Sequence, residues 1–457
     1  MHRVIVTALV VLTPTIAGCF SERSFVMRPE DYVPAPAVNS SALPAGDTRA
    51  WLAHAHQTLR HTLPYDDEPA LTTEQLVDPA GNPVDVYAHF GRCPEYSNSI
   101  FLNFFGLMDT AQASGAEAAI ENPAAPWPGF EDVWAPINDR LQLSGRLGLA
   151  RGADGEPLVA DCIIVLPGLL GDLAVKRSRD LARALVDAGH HVLALELRGF
   201  GQTERRFPDV YYTFGVLETG DLLAVDEWLQ QRPYVRGTGL IGFCWGANHV
   251  LLAAWEDGRE EDHPGVAPEL RKRLRPRDGR RHFTSGVLAF SPTLDFEPIV
   301  EVLRQEWPAA DEPVLCTLQD GVRDRMRRKR HPEINGDLGR LIQFEFARSE
   351  LTYPHAVRDG YDYLRFLPYR GKPAGDKLES ARVPVLIVHG SNDPLASPQA
   401  VADLIASTEN RNVAAVVLDG GGHVGFAPYD RSYFYSLVLN FFDPRAGPAT
   451  RSAKRRP

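Results

Sequence analysis

Gly-Phe-Cys-Trp-Gly, residues 242–246 of a 457-residue chain, is the stretch from which the rest can be read. Glycines stand two before and two after a central residue. That is the spacing of a turn in which a strand bends sharply into a helix and leaves the middle side chain at an exposed corner. Gly242 and Gly246 remove the side chains that would clash in such a turn. The apolar run before it, residues 239–243, reads as a buried strand, and residues 248–256 after it read as a helix. The corner residue is Cys244, and it would sit at a helix N-terminus, where the positive end of the backbone dipole favours an anion. A free thiol has a pKa of about 8.5, and a helix N-terminus or a neighbouring imidazolium lowers it, so Cys244 is the candidate nucleophile.

A nucleophile needs a base, and the base needs an orienting acid. Pro-Val-Leu-Ile-Val-His-Gly-Ser-Asn-Asp (384–393) reads as a buried strand ending at Gly390 with Asp393 in the loop beyond it. Val-Val-Leu-Asp-Gly-Gly-Gly-His (416–423) reads as another, with a glycine-rich loop presenting His423. Each of the three lies just past the C-terminal end of a strand, where open α/β sheets place their sites. Asp295, in Ser-Pro-Thr-Leu-Asp (291–295) after the preceding strand, is the rival acid. Two backbone amides should form the oxyanion hole: that of Trp245, directly after the nucleophile, and that of Leu169 in Leu-Pro-Gly-Leu-Leu-Gly-Asp (166–172), where Gly168 allows close approach.

Around these points the chain alternates strand and helix patterns from about residue 133. Continuous apolar runs at 161–166, 191–197, 239–243, 286–290, 384–390 and 413–420 suit strands buried on both faces. The expected fold class is α/β, a mostly parallel sheet with helices on both faces. Its core falls in two parts, 133–292 and 381–443, separated by a helical cap insertion at 293–380. Residues 139–150 alternate and run into Gly-Ala-Asp-Gly (152–155), which predicts a hairpin turning there. The charged stretch 259–283 reads as a surface excursion, and 48–132 as an N-terminal extension packing on the core, opening with a helix capped by Asp47 or Thr48. No chemical motif stands out in that extension.

Composition and the termini bound the function classes. Hydrophobic residues make up 44% and charged ones 23%, enough for a substantial core. A net charge of -11 with no basic domain argues against a nucleic-acid partner. The basic residues at 444–457 read as a disordered tail. At the other end, a short positive start and an apolar run too short to span a membrane lead to Ile-Ala-Gly-Cys (16–19). This resembles a bacterial lipobox. It implies a signal peptide over 1–18, lipidation of Cys19, a Pro- and Ser-containing tether over 19–47, and export to a membrane, the outer one if the source is Gram-negative. Of the four other cysteines, Cys162 reads as core, while Cys93 and Cys316 are available to pair.

Taken together, 133–443 resembles the α/β-hydrolase superfamily. The matching motifs are 166–172 for the oxyanion loop, Glu-Leu-Arg-Gly-Phe-Gly-Gln-Thr (196–203), the elbow at 242–246, Gly-Ser-Asn-Asp-Pro (390–394) and Gly-Gly-Gly-His-Val-Gly-Phe (420–426). The last of these, with 351–366, most resembles the YheT-like esterase branch, whereas the Gly-x-Cys-x-Gly elbow resembles dienelactone hydrolases and, for acyl transfer, polyester synthases. The resemblance implies an ester or thioester hydrolase with a Cys244–His423–Asp393 triad, a small acyl ester substrate, and neither metal nor organic cofactor. Two alternatives stay open: an acyltransferase on the same triad, or a non-catalytic binding or structural envelope lipoprotein. The second is motivated by cysteine at the elbow and by Leu166-Pro167 where such loops usually carry histidine.

Overall fold

The computed structural model describes residues 47–59, 71–72, 110, 126–169, 171, 173, 176–276, 279–308, 313–418, 421–424 and 431–443. The expectations for the signal peptide, Cys19, the tether up to residue 46, Cys93 and the basic tail lie outside them. Among the described residues no helix is long and apolar enough to cross a membrane.

The strands in chain order are β1 (Leu71–Thr72), β2 (Phe130–Asn138), β3 (Leu141–Gly148), β4 (Ala160–Leu166), β5 (His191–Leu195), β6 (Val235–Phe243), β7 (Gly286–Phe290), β8 (Val385–Gly390) and β9 (Val413–Leu418). They form one sheet in the order β1-β9-β8-β7-β6-β4-β5-β3-β2. From β5 through β9 every neighbouring pair is parallel, and β1, β2 and β3 add antiparallel edges. The parallel strands form where the sequence is continuously apolar. β4, β5, β7, β8 and β9 are buried at every position, as strands covered on both faces must be.

The helices in chain order are α1 (Thr48–Leu59), α2 (Lys176–Asp187), α3 (Gly201–Arg206), α4 (Glu218–Gln230), α5 (Trp245–Gly258), α6 (Pro268–Arg271), α7 (Phe296–Val302), α8 (Pro313–Arg328), α9 (Leu338–Arg348), α10 (Ala356–Leu364), α11 (Pro398–Ala406) and α12 (Arg431–Phe442). α4 and α5 pack on each other and on the sheet; α2 and α12 do the same in a second layer. α5, apolar on most of its surface, is buried along its whole length. This is the mostly parallel, helix-flanked architecture that the sequence pattern predicts.

α7 to α10 fill the long connection between β7 and β8, and a buried ion pair holds them down. Arg325 on α8 meets Glu345 on α9 at 2.6 Å and donates to the carbonyl of Gly199, in the loop after β5. Glu345 in turn accepts the amide of Tyr212 at 2.9 Å. The insertion is therefore fastened to loops at the C-terminal ends of the strands. At the opposite edge, Asp47 caps α1 by accepting the Ala50 amide at 2.9 Å, Trp51 packs edge-on against Phe441 of α12, and β1 pairs with β9.

Two local expectations change. The hairpin forms one segment earlier than predicted, between β2 and β3, turning at Asp139-Arg140. β2 lacks a clean alternation of apolar and polar residues and contains Pro136 beside a register shift, which only an edge strand tolerates. Residues 152–155 instead make a smaller turn closed by the Arg151–Pro157 bridge. The charged stretch 259–283 is a surface excursion only in its middle. Its ends are buried: Arg259 pairs with Glu256, and His282 meets Asp226 at 2.6 Å.

Candidate active site

β6 delivers the corner. Cys244 has φ 55° and ψ -121°, a conformation that L-residues avoid and that persists only where the surroundings impose it. The glycines explain how. A Cβ on Gly242 would lie 2.2 Å from the Gly246 carbonyl oxygen, and one on Gly246 would lie 2.1 Å from the Pro167 carbonyl oxygen. Either would push the turn open. Gly168 is also close, where an added Cβ would meet the Cys244 Cβ at 3.1 Å, so the loop after β4 can press against Cys244. The Cys244 amide donates to the Phe290 carbonyl at 2.9 Å, which ties the corner to β7.

The other two residues arrive from β8 and β9. Asp393 is fully buried; its Oδ1 accepts the amides of Leu395 and Ala396 at 2.8 and 2.9 Å. His423 Nδ1 donates to Asp393 Oδ2 at 2.9 Å, with Oδ1 at 3.1 Å. That bond fixes the imidazole tautomer and leaves Nε2 for the thiol. Nε2 has no fully formed hydrogen bond among the described residues, and the thiol is the acidic group beside it.

The electrostatics follow from burial and these partners. Burial by itself pushes the Cys244 thiol up. The His423 charge and its interaction with the sulfur, together with the amides of Leu169 and Trp245 pointing at Sγ, outweigh it, and the thiol ends below its ordinary value. Burial likewise depresses His423, but Asp393 and Cys244 reverse this and raise the imidazole to about 10. Asp393 is held below the usual carboxylate range: burial opposes this, and the His423 charge overcomes it. All three shifts run toward the charged forms: the carboxylate and the thiolate become easier to form, and the imidazolium harder to lose. Cys244 as a residue is only partly buried.

The structure therefore brings together Cys244, His423, Asp393 and the amides of Leu169 and Trp245. Asp295 does not join them. It stands at the N-cap of α7 with one oxygen unpaired, and burial, reinforced by the nearby Asp393 charge, pushes it up to about 6. His423 bonds Asp393 instead. The Trp245 side chain packs: its Nε1 donates to the Phe214 carbonyl at 2.9 Å and its ring meets Phe296 edge-on. Arg198 braces loops, pairing with Asp221 at 2.6 Å and Glu350 at 3.1 Å. Cys316 is a free thiol. Sequence reasoning overlooked His389, whose Nε2 donates to the Ala396 carbonyl at 3.1 Å and lies 3.7 Å from Asp393. The signal was a histidine inside an otherwise apolar strand four residues before the acid.

A protein-family profile described as alpha/beta hydrolase fold matches residues 161–259, the segment from β4 through the elbow helix. Sheet order, elbow and this match define the class: the chain has the α/β-hydrolase fold. No curated protein sequence matches it. Among solved structures it is similar to the esterase Pf2001 of Pyrococcus furiosus, at 18% identity over 68% of this chain and 91% of that one, TM-score 0.42. It is also similar to Est1E of Butyrivibrio proteoclasticus, solved with ferulic acid bound, at 16% identity over 68% and 97%, TM-score 0.40. A third is a 2,6-dihydroxy-pseudo-oxynicotine hydrolase, at 15% identity over 70% and 69%, TM-score 0.42. Likenesses this distant carry nothing about substrate.

Proposed function

We propose that this protein hydrolyses carboxylic esters or thioesters through an acyl-cysteine intermediate. One observation carries the reading: His423 bonds Asp393 through Nδ1 while its charge and the amides of Leu169 and Trp245 act on the Cys244 sulfur. The Cys244 thiolate attacks the substrate carbonyl and a C–S bond forms. The carbonyl oxygen takes up the negative charge beside the amides of Leu169 and Trp245. As the intermediate collapses, the bond to the leaving group breaks and His423 Nε2 gives it a proton. His423, now neutral, takes a proton from water as the hydroxide adds to the thioester. The C–S bond then breaks, the acid leaves, and the thiolate–imidazolium pair is restored. Asp393 keeps the imidazole oriented throughout.

The test is hydrolysis of p-nitrophenyl esters of increasing acyl length by wild type, Cys244→Ala and Cys244→Ser. Turnover that vanishes in Cys244→Ala supports the reading, and the chain-length profile names the acyl class. Folded wild type without turnover on any member, whose thiol alkylates like an ordinary cysteine, sinks it. Added alcohol that diverts the acyl group from water would move the assignment to acyl transfer. We further propose, from residues 16–19 alone, that the chain is exported and anchored through a lipidated Cys19. Mass spectrometry of the mature N-terminus tests this; a chain that keeps residues 1–18, or starts at an unlipidated Cys19, refutes it.

A further inference from the structure

The loop that carries His423 ends in a residue whose backbone runs against its own preference. Gly421, Gly422 and Val424 have φ values of 103°, 50° and 57°, so three of four successive residues sit in the left-handed region, and Val424 is β-branched. The two glycines take such angles freely, but Val424 does so only where other groups hold it there. Three consecutive amides are each taken by a side chain from a different part of the chain. The Gly422 amide donates to Asn392 Oδ1 at 2.8 Å, in the acid loop. The Val424 amide donates to Ser291 Oγ at 3.2 Å, just past β7, where Ser291 itself has φ 47°. Between them, the His423 amide donates to Thr110 Oγ1 at 2.7 Å. Thr110 and His423 are 313 residues apart, and Thr110 is buried.

We infer that Thr110 is a positioning residue for His423, so that the N-terminal extension completes the catalytic apparatus of the hydrolase core. The inference rests on the proposed role of the Cys244–His423 pair. Of the three acceptors, only Thr110 lies outside the hydrolase core, and it binds the amide of the histidine itself. A hydroxyl there closes the hydrogen bond of a buried donor that the loop's own geometry leaves unpaired within the loop. Without it, the amide must find another acceptor by moving, and the imidazole moves with it. A displacement of about 1 Å at a catalytic group costs up to about 100-fold in rate.

The experiment compares the full chain as wild type, Thr110→Val, Thr110→Ala, Thr110→Ser and His423→Ala. It measures the pH profile of Cys244 alkylation by iodoacetamide, kcat and KM on a p-nitrophenyl ester, and Tm. In Thr110→Val the alkylation inflection should shift upward towards that of His423→Ala. kcat should fall roughly tenfold while KM stays within about twofold, the signature of a misplaced group rather than a lost binding contact. Thr110→Ser, which keeps the hydroxyl, should restore both. A merely structural role would lower Tm without moving the inflection. If either hydroxyl deletion folds and titrates like wild type, Thr110 does not position His423. If wild type and His423→Ala titrate alike, the failure lies in the Cys244–His423 reading, and this inference falls with it.

Discussion

Cys162 lies on β4 and Cys244 just past the end of the neighbouring strand β6, and the two differ in almost everything that decides what a thiol does. Cys162 is in the middle of its strand, fully buried, and burial drives its ionisation far above the ordinary range. Cys244 is the corner residue between β6 and α5. Burial works against its ionisation too, yet an imidazolium and two amides reverse the sign. The thiol chemistry is the same; what differs is whether the chain turns. A strand interior satisfies its own amides in the ladder and offers none to a side chain. A strand-to-helix corner leaves amides unpaired and aims them at the corner residue. Asp295 and Asp393 repeat the lesson. Both follow strands on the same edge, but only Asp393 has a cation beside it, and the two carboxyls move in opposite directions from their usual range.

The sharpest attack on this contrast removes each thiol in turn. Cys244→Ala should lower kcat on the order of 10⁶-fold, the cost of deleting a triad nucleophile, whereas Cys162→Ala should leave kcat within about twofold. Steady-state kinetics on one activated ester decides it; comparable losses in both would erase the distinction. Next come the acids. Asp393→Asn should cost about 10⁴-fold by releasing the wrong imidazole tautomer, while Asp295→Asn should change the rate less than about threefold. A larger loss at Asp295 would reassign the acid.

A smaller effect lies in the pH dependence. A depressed thiol pKa means that the ion pair contributes to stability at higher pH and is lost as pH falls through the Cys244 value. A raised histidine pKa means that its contribution is fully present below its ordinary 6.5 and is lost as pH rises through about 10. Cys244 should therefore alkylate with an inflection below 9, and at pH 7 at least about 100-fold faster than Cys162, as peptide mapping after brief iodoacetamide treatment would measure. Equal labelling in the folded protein would contradict it. Smallest of all, Cys162→Ala should cost stability of about 1 kcal/mol in a denaturant titration, as an ordinary core truncation does.

Much of this is legible in the sequence alone. The elbow, the two later loops and their chain order follow from short patterns, because apolar runs announce buried strands and glycines announce the backbone that a sharp turn requires. The same patterns chose Cys244, Asp393 and His423, the three side chains that lie together. β2 was missed because an edge strand with Pro136 and mixed burial lacks the alternation that marks a strand. His389 was passed over as one residue in a strand, since its value lies in the Ala396 carbonyl that it reaches.

The choice between Asp295 and Asp393 shows where local reading stops. Both stand after a buried strand, and the motif order favours Asp393 without excluding Asp295. The distance to His423 separates them, and that distance depends on how β7, β8 and β9 register against one another. The same holds for the Arg325–Glu345 pair that fastens the helical insertion, and for Thr110, which accepts the His423 amide. Short-range sterics and hydrophobic pattern are properties of neighbouring residues, so the chain displays them openly. Hydrogen bonds across hundreds of residues exist only after the core has packed, and a lone threonine or glutamate carries no mark of the partner it will meet.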